Sequence, residues 1–173
     1  MQNERLYRSP LGWLHLKREG GNLVGLAFSE SYDKSLCYEK CTQSSKVMTD
    51  TTKWLDIYFS GEIPTFMPKI AFQNGSTFAR EVWELLLEVP YGNLSTYGTF
   101  AKIIAKKHKI AKMSAQAIGG AVGSNPIAII VPCHRIIGAN KNLTGYAGGI
   151  DKKIALLHIE GIDTTKFKLP KQS

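Results

Sequence analysis

The stretch Ile127-Ala128-Ile129-Ile130-Val131-Pro132-Cys133-His134-Arg135 organises the chain, because a short apolar run delivers three reactive side chains in succession. The run is bounded by Pro126 and Pro132, which predicts a buried extended segment. A cysteine between apolar flanks, with a histidine and an arginine beside it, favours a thiolate of low pKa. Such a thiolate is a nucleophile once an oriented base activates it. On these residues alone an inert buried cysteine remains the alternative, because a Cys-His dipeptide is a weak signal.

Helices are predicted upstream of this run. The first begins after Ser76 or Thr77 and carries apolar residues at helical spacing as far as Leu86. Thr96 can cap a second helix that begins at Tyr97 and reaches about residue 107, and a third is predicted over residues 115–122 after Ser114. The last two flank a basic joint, which indicates a helix-turn-helix that binds DNA.

The third helix is unusual because it contains no Lys or Arg and is built largely of Ala and Gly. Two adjacent glycines, Gly119 and Gly120, weaken a helix by about 1 kcal/mol each relative to alanine. A close approach of its backbone to another surface would offset this cost. That surface is either DNA or a packed helix, and the residues alone leave both open.

The N-terminal part predicts a small α+β unit. Residues 11–16 alternate in polarity, residues 20–22 form a tight turn and residues 23–28 follow as a second strand, which is a β-hairpin pattern. A helix is expected over residues 47–59. The segment 73–76 is the predicted boundary, which gives an N-terminal domain over residues 1–75 and a C-terminal domain over residues 76–173.

Charge is distributed unevenly along the 173 residues, whose net charge is +8. Residues 1–75 hold 9 basic and 8 acidic side chains, whereas residues 76–173 hold 13 and 6. The second half is therefore the part expected to meet a polyanionic partner such as nucleic acid. The alternative is a charged surface that only maintains solubility.

Three cysteines at low density argue against a disulfide scaffold and predict a reducing, cytoplasmic setting. No apolar stretch approaches the ~20 residues of a membrane span, and no secretory signal is visible. Cys37 and Cys41 are four residues apart, and His15 is the only histidine near them. Three ligands make a poor zinc site, so no metal is expected.

Pro132-Cys133-His134-Arg135 after an apolar run resembles the active-site motif of the O6-alkylguanine-DNA alkyltransferases, also called methylated-DNA–protein-cysteine methyltransferases. Asn125-Pro126 before it and the glycine-rich residues 145–149 after it match the family, as do residues 156–161. The resemblance covers about residues 76–162. It implies an α+β protein with an N-terminal RNase H-like α/β domain, followed by a mostly helical, winged-helix-like (helix-turn-helix) catalytic domain.

The resemblance also implies a reaction. Cys133 would displace the alkyl group from O6-alkylguanine in duplex DNA, with O4-alkylthymine as a second candidate substrate. The thioether product has no good leaving group, so each molecule would act once and need no cofactor. His134 would take the thiol proton through a water. Glu160 would orient the imidazole and balance its charge, and Asn125 would hold the active-site turn by hydrogen bonds.

The same resemblance assigns the contacts with the substrate. Tyr97 and Lys153 would donate hydrogen bonds to the departing guanine, and Tyr146 and Ala147 would complete its site. The base would swing out of the helix while small residues enter the minor groove. The implied DNA contacts are Thr96, Ala115, Gln116, Gly119 and Arg135, and the candidate phosphate neighbours are Lys102, Lys106, Lys107, Lys109 and Lys112.

Gln116 departs from the pattern, because the family commonly has an arginine there to fill the gap left by the flipped base. The joint over residues 108–113 is also longer than in the common pattern. A bacterial-type, cytoplasmic monomer with no obligate protein partner is expected. The competing readings are a helix-turn-helix regulator or catalytically inactive relative that only binds DNA, and an unrelated thiol hydrolase.

Overall fold

The structure is a computed structural model that describes residues 3–30 and 45–170. By internal contacts the chain divides into two compact units. The first consists of Met1–Gln73 with Pro126–Ala128, and the second consists of Asn74–Asn125 with Ile129–Ser173. The predicted α+β class is confirmed, since the first unit carries the larger sheet and the second is mostly helical.

The first unit is built on an antiparallel sheet in which β1 (Glu4–Ser9), β2 (Gly12–Glu19) and β3 (Asn22–Ser29) lie in sequence order. The predicted hairpin of β2 and β3 is confirmed, and β1 extends it. Helix α1 (Lys46–Phe59) buries Leu55 and Tyr58 completely, as its apolar spacing predicts. The segment Pro126–Ala128 lies beside β3, where the Leu26 N–H donates to the Pro126 carbonyl at 2.9 Å.

The second unit begins with α2 (Thr77–Leu87), followed by β4 (Ser95–Thr96), α3 (Tyr97–Lys107) and α4 (Ala115–Gly123). All three predicted caps are present: the Ser76, Thr96 and Ser114 side chains each accept hydrogen bonds from the first turn of their helix. The Trp83 indole joins α2 to α4 by donating to the Ala121 carbonyl at 2.7 Å. Helices α3 and α4 pack on each other and are separated by residues 108–114, so the helix-turn-helix lies where the sequence predicts it.

The apolar run before Cys133 is buried as predicted, but the prediction of an extended segment is wrong. Residues 128–130 form a turn, and Ile129 adopts a φ of 68°. A β-branched residue is strained in this left-handed region. The conformation is held because the Ile129 side chain is fully buried and the Asn125 amide donates to the Val131 carbonyl at 2.8 Å.

The chain then forms a 3-10 turn at Cys133–Arg135 and a short strand, β5 (Ile136–Ile137), which pairs in parallel with β4. This pairing brings the start of α3 next to the residues that follow the cysteine. A second 3-10 turn, Ala139–Lys141, precedes helix α5 (Ile150–Ile159), which Glu160 terminates.

The expectation that no zinc is bound concerned Cys37 and Cys41, and both cysteines lie outside the described residues. Within residues 3–30 and 45–170, no group of three or more His, Cys, Asp or Glu side chains is arranged to hold a metal ion. Over the same residues, no helix has both the length and the apolar character that crossing a bilayer requires.

Candidate active site and nucleic-acid interface

Cys133 is a reduced, largely buried cysteine at the start of its 3-10 turn, with 8% of its surface exposed. Burial raises the pKa of its thiol, and the Asn125 side chain and the Lys153 charge oppose that rise only in part. The expectation of a thiolate with a low pKa is therefore wrong for the protein without DNA. The physical reason is that removing the sulfur from water penalises its charged form more than these neighbours stabilise it.

His134 is completely buried and forms a hydrogen bond of 2.6 Å between its Nε2 atom and Oε1 of Glu160. Burial lowers the pKa of the imidazole, although the Glu160 carboxylate acts in the opposite direction. A neutral imidazole facing an ionised carboxylate must carry its proton on Nε2, because the carboxylate can only accept. The remaining nitrogen, Nδ1, is then the basic atom of the ring.

Glu160 lies at the end of α5 and is buried. Its carboxylate accepts hydrogen bonds from His134, from the Arg135 Nε atom at 2.9 Å and from the Gly92 amide at 3.0 Å. Burial by itself would raise the pKa of Glu160, but the donors and charges of His134 and Arg135 outweigh it and bring the pKa to about 2. The carboxylate is therefore ionised throughout the physiological range.

Arg135 does not fit its predicted contact with DNA. Its side chain is buried, and its guanidinium is committed to Glu160 and, through Nη1, to the Val89 carbonyl at 2.6 Å. The guanidinium also lies 5.8 Å from the centre of the Tyr91 ring. A group with these partners balances the charge of Glu160 inside the fold. Sequence reasoning missed this role, although the position of Arg135 directly after His134 was a signal for it.

Lys153 is also buried inside the second unit and was expected to be close to the reacting atoms. Its ammonium donates to the Ile136 carbonyl at 2.6 Å and to the Thr144 carbonyl at 3.1 Å. Burial lowers its pKa to about 8, while the Cys133 side chain acts in the opposite direction. Lys153 therefore anchors the chain on both sides of the loop that follows Cys133, and its charge acts on the sulfur.

Two tyrosines of the predicted site lie near the same sulfur. Burial raises the pKa of Tyr97 and raises that of Tyr146 well above its ordinary value, and in both cases the charge of Cys133 adds to the effect. The Tyr146 hydroxyl is buried, whereas the neighbouring Ala147 is exposed. The structure thus gathers Asn125, Tyr97, Tyr146 and Lys153 around Cys133.

A groove of about 810 Å³ opens beside this cluster and joins the start of α3, one face of α4 and the loop after β5. Gln116 and Ala115 lie along it, and Ala147 lies on the opposite side. Cys133 is not among the described residues that line the groove. Nearly all of the lining residues are small: Gly98, Ala115, Gly119, Gly120, Gly123, Gly138, Ala139, Thr144, Gly145 and Ala147, with Tyr97 and Gln116 as the larger ones.

The glycines of α4 are not explained by helix packing. A Cβ atom added at Gly120 or Gly123 would meet nothing within 4 Å, and one added at Gly119 would lie 3.8 Å from the Tyr97 ring. Gln116 is exposed on the same face. The small residues therefore border open space, which favours the DNA alternative over the packed-helix alternative.

The predicted phosphate neighbours fall into two groups. Lys102, Lys106, Lys109 and Lys112 are exposed. Lys107, however, forms an ion pair of 2.6 Å with Glu81, which also accepts from the His108 ring at 2.7 Å. The charge of Lys107 is thus paired with Glu81 within the second unit.

Comparison with known proteins agrees with this geometry. Residues 77–162 match the sequence model described as "6-O-methylguanine DNA methyltransferase, DNA binding domain", and residues 3–72 match the one described as the ribonuclease-like domain of the same family. The chain belongs to the 6-O-methylguanine DNA methyltransferase family. The predicted order of an RNase H-like domain followed by a DNA-binding domain is thereby confirmed.

Individual relatives cover almost the whole chain. The methylated-DNA–protein-cysteine methyltransferase of Methanosarcina acetivorans is 38% identical over 156 residues, which is 90% of this chain and 96% of that protein. The protein of the same name from Mycobacterium tuberculosis is 40% identical over 161 residues, or 92% and 93%. The crystal structure of Mycobacterium tuberculosis OGT in complex with DNA superimposes with a TM-score of 0.73 at 36% identity and covers 95% of this chain and 94% of that one.

Proposed function

We propose that this 6-O-methylguanine DNA methyltransferase family member repairs DNA by moving the alkyl group of O6-alkylguanine in duplex DNA onto Cys133, once per molecule. The observation that carries the proposal is the buried His134–Glu160 pair directly beside a cysteine that has a raised pKa. A thiol that is protonated at neutral pH needs a base to become a nucleophile. Two relatives named as methylated-DNA–protein-cysteine methyltransferases support the reaction class.

The proposed step balances as a direct displacement. His134 Nδ1 takes the thiol proton, through a water, and Glu160 stabilises the imidazolium that forms. The Cys133 sulfur then bonds to the alkyl carbon while the bond between that carbon and guanine O6 breaks, and the electron pair goes to the guanine. The thioether product offers no leaving group to a water molecule. The protein therefore ends the reaction alkylated, without a cofactor.

The departing guanine gains negative charge at O6. Tyr97 and Lys153 are proposed to stabilise this charge by donating hydrogen bonds. An ammonium has three donors, and Lys153 uses two of them on the Ile136 and Thr144 carbonyls. We assign the third to the guanine. Tyr146 and Ala147 are proposed to form the walls that hold the base, and Asn125 to hold the turn that presents the sulfur.

Duplex DNA is proposed to lie against the face of α4, with contacts from Thr96, Ala115, Gln116 and Gly119. Only small residues allow a helix backbone to enter the narrow minor groove, and the open surface above Gly120 suits such an approach. The target base would be flipped towards Cys133, with Gln116 filling its place. The exposed lysines of α3 and of the following joint would add phosphate contacts, which makes binding salt-dependent.

Residues 1–75 and 76–173 are proposed as the two domains of the protein, the second carrying both the chemistry and the DNA surface. We propose a cytoplasmic monomer that needs no protein partner, and O4-alkylthymine as a second substrate. Displacement at an alkyl carbon is the same chemistry for both bases.

One experiment separates the proposal from its competitors. The protein is incubated with a duplex oligonucleotide whose guanine O6 carries a radiolabelled methyl group, and label on protein is measured beside DNA binding. Label on the wild type but not on Cys133→Ala supports the proposal. Binding without label would instead indicate a DNA-binding regulator or inactive relative, and neither binding nor label would indicate an unrelated thiol enzyme.

A further inference from the structure

The segment 163–168 follows the part of the chain that matches the DNA-binding domain, which ends at residue 162. It folds back on the end of α5, where the Thr164 hydroxyl and the His158 ring are 2.7 Å apart and the Phe167 amide donates to the Thr164 carbonyl at 2.9 Å. The half-buried Phe167 ring packs against a cluster that contains Leu143 and Leu157, both fully buried. We call this segment the C-terminal strap.

The strap is joined to the loop after β5 by main-chain hydrogen bonds. The Leu143 amide donates to the Lys168 carbonyl at 2.8 Å, and the Lys168 amide donates to the Lys141 carbonyl at 3.0 Å. The two bonds lie on either side of Asn142, which forms a parallel bridge with Lys168. The Lys141 ammonium also lies 5.9 Å from the centre of the Phe167 ring.

The loop that the strap holds is strained. Asn140 and Lys141 are consecutive residues with φ of 56° and 57°. These angles lie in the left-handed region, which residues other than glycine rarely adopt. Such a conformation persists only where the surrounding structure over-determines it. Within the loop the Gly138 amide donates to the Asn142 carbonyl at 2.8 Å, and the strap adds the constraint from outside, because the Lys168 amide donates to the Lys141 carbonyl.

The strained turn connects two parts of the groove wall. Gly138 and Ala139 precede it, Thr144 and Gly145 follow it, and all four line the groove beside α4. Lys153 fixes the chain at Thr144 from the inside, whereas the strap fixes it at Leu143 from the outside. A shift of the strap would therefore move the wall that receives the alkylated base.

We propose that Phe167 is a positioning residue for alkyl transfer: through the C-terminal strap it holds the wall formed by residues 138–145 in the conformation that accepts the flipped alkylguanine. This inference rests on the proposed function. Phe167 does not touch the reacting atoms, and it acts through the Lys141 and Leu143 backbone. The helix-turn-helix face of α4 is not part of this contact.

The test compares three variants of the full chain in single-turnover transfer from a duplex that contains O6-methylguanine. In Phe167→Ala, we expect the limiting rate constant at saturating DNA to fall about ten-fold, because a misplacement near the reacting atoms costs roughly this much or more. The half-saturating DNA concentration and the affinity for undamaged duplex should stay within about two-fold of the wild type. Phe167→Leu should restore the rate, and Leu169→Ala, whose side chain in the same tail is 62% exposed, should match the wild type.

Amide hydrogen exchange of the protein without DNA gives a second readout that does not depend on activity. In Phe167→Ala the Leu143 amide should exchange faster, while the Ile118 amide of α4 keeps its protection. Unchanged exchange at Leu143, an unchanged transfer rate, or an equal loss of rate and of affinity for undamaged DNA would each overturn the proposed role. A wild-type protein that transfers no methyl group contradicts the proposed function itself and removes the basis of this role with it.

Discussion

Replacing Glu160 with glutamine perturbs the buried charge network behind the nucleophile with the smallest possible change in shape. The carboxylate accepts hydrogen bonds from the His134 ring at 2.6 Å, from the Arg135 guanidinium at 2.9 Å and from the Gly92 amide at 3.0 Å. An amide keeps part of this geometry, but it leaves the buried guanidinium without an opposite charge. Both the stability of the second unit and the basicity of His134 should therefore fall.

The magnitude follows from the pKa of Glu160, which lies at about 2 in the fold instead of its ordinary 4.5. A pKa that is lowered by folding stabilises the protein above pH 4.5, and this contribution is lost as the pH falls towards 2. It amounts to roughly 3 kcal/mol at pH 7 and to about 1 kcal/mol at pH 3. Glu160→Gln should thus lower the free energy of unfolding by about 3 kcal/mol at pH 7, and the difference from the wild type should shrink by about 2 kcal/mol at pH 3.

Urea unfolding followed by tryptophan fluorescence measures this difference. Trp13 and Trp54 lie in the first unit and Trp83 lies in the second with Glu160. In a Trp13→Phe, Trp54→Phe background the signal therefore reports the unit that contains the network. The wild-type and Glu160→Gln forms of that background are compared at both pH values.

Glu84→Gln is the matched control, because Glu84 is exposed on α2 and its neutralisation should change stability by less than about 0.5 kcal/mol. A cost below about 1 kcal/mol for Glu160→Gln, independent of pH, would refute the reasoning. That outcome would mean that the carboxylate gains no net stability from its partners.

Other substitutions test separate parts of the account. Gln116→Arg should steepen the salt dependence of DNA binding by about one counterion, whereas Gln116→Leu should not, as measured by titration at several salt concentrations. Lys153→Met removes a charge that lowers the pKa of the Cys133 thiol, so the pH profile of iodoacetamide labelling at that cysteine should shift upwards. Gly75→Ala should destabilise the protein by about 3 kcal/mol, because its φ is 101° and a Cβ would lie 2.4 Å from a tryptophan ring. Gly161→Ala, at a φ of 77° with open space around it, should cost only about 1 kcal/mol in the same thermal or urea unfolding measurement.

The sequence predicted the features of this protein that depend on local chemistry. The starts of α2, α3 and α4 follow from Ser76, Thr96 and Ser114, because a cap satisfies amides only a few residues away. The contact between His134 and Glu160 spans 26 residues. No periodicity brings two such positions together, and only the resemblance to a family suggested it.

Features set by tertiary packing were not predictable in the same way. Ile129 was expected in an extended segment because its neighbours are apolar, but packing forces it to a positive φ. The resemblance to the family assigned Arg135 to DNA, whereas in the fold its guanidinium is buried against Glu160 and the Val89 carbonyl. The prediction of a low pKa for the Cys133 thiol was wrong because burial in the folded chain raises that pKa, and the extent of burial cannot be read from neighbouring residues.

The most direct test of the central claim is the stoichiometry of methyl transfer, located by peptide mapping. An excess of duplex with O6-methylguanine is added to the wild-type protein, and a second dose follows after the reaction stops. The account predicts one methyl group per protein, found as S-methylcysteine at Cys133, and no further demethylation of DNA after the second dose. Continued turnover, or a methyl group on any residue other than Cys133, would contradict it.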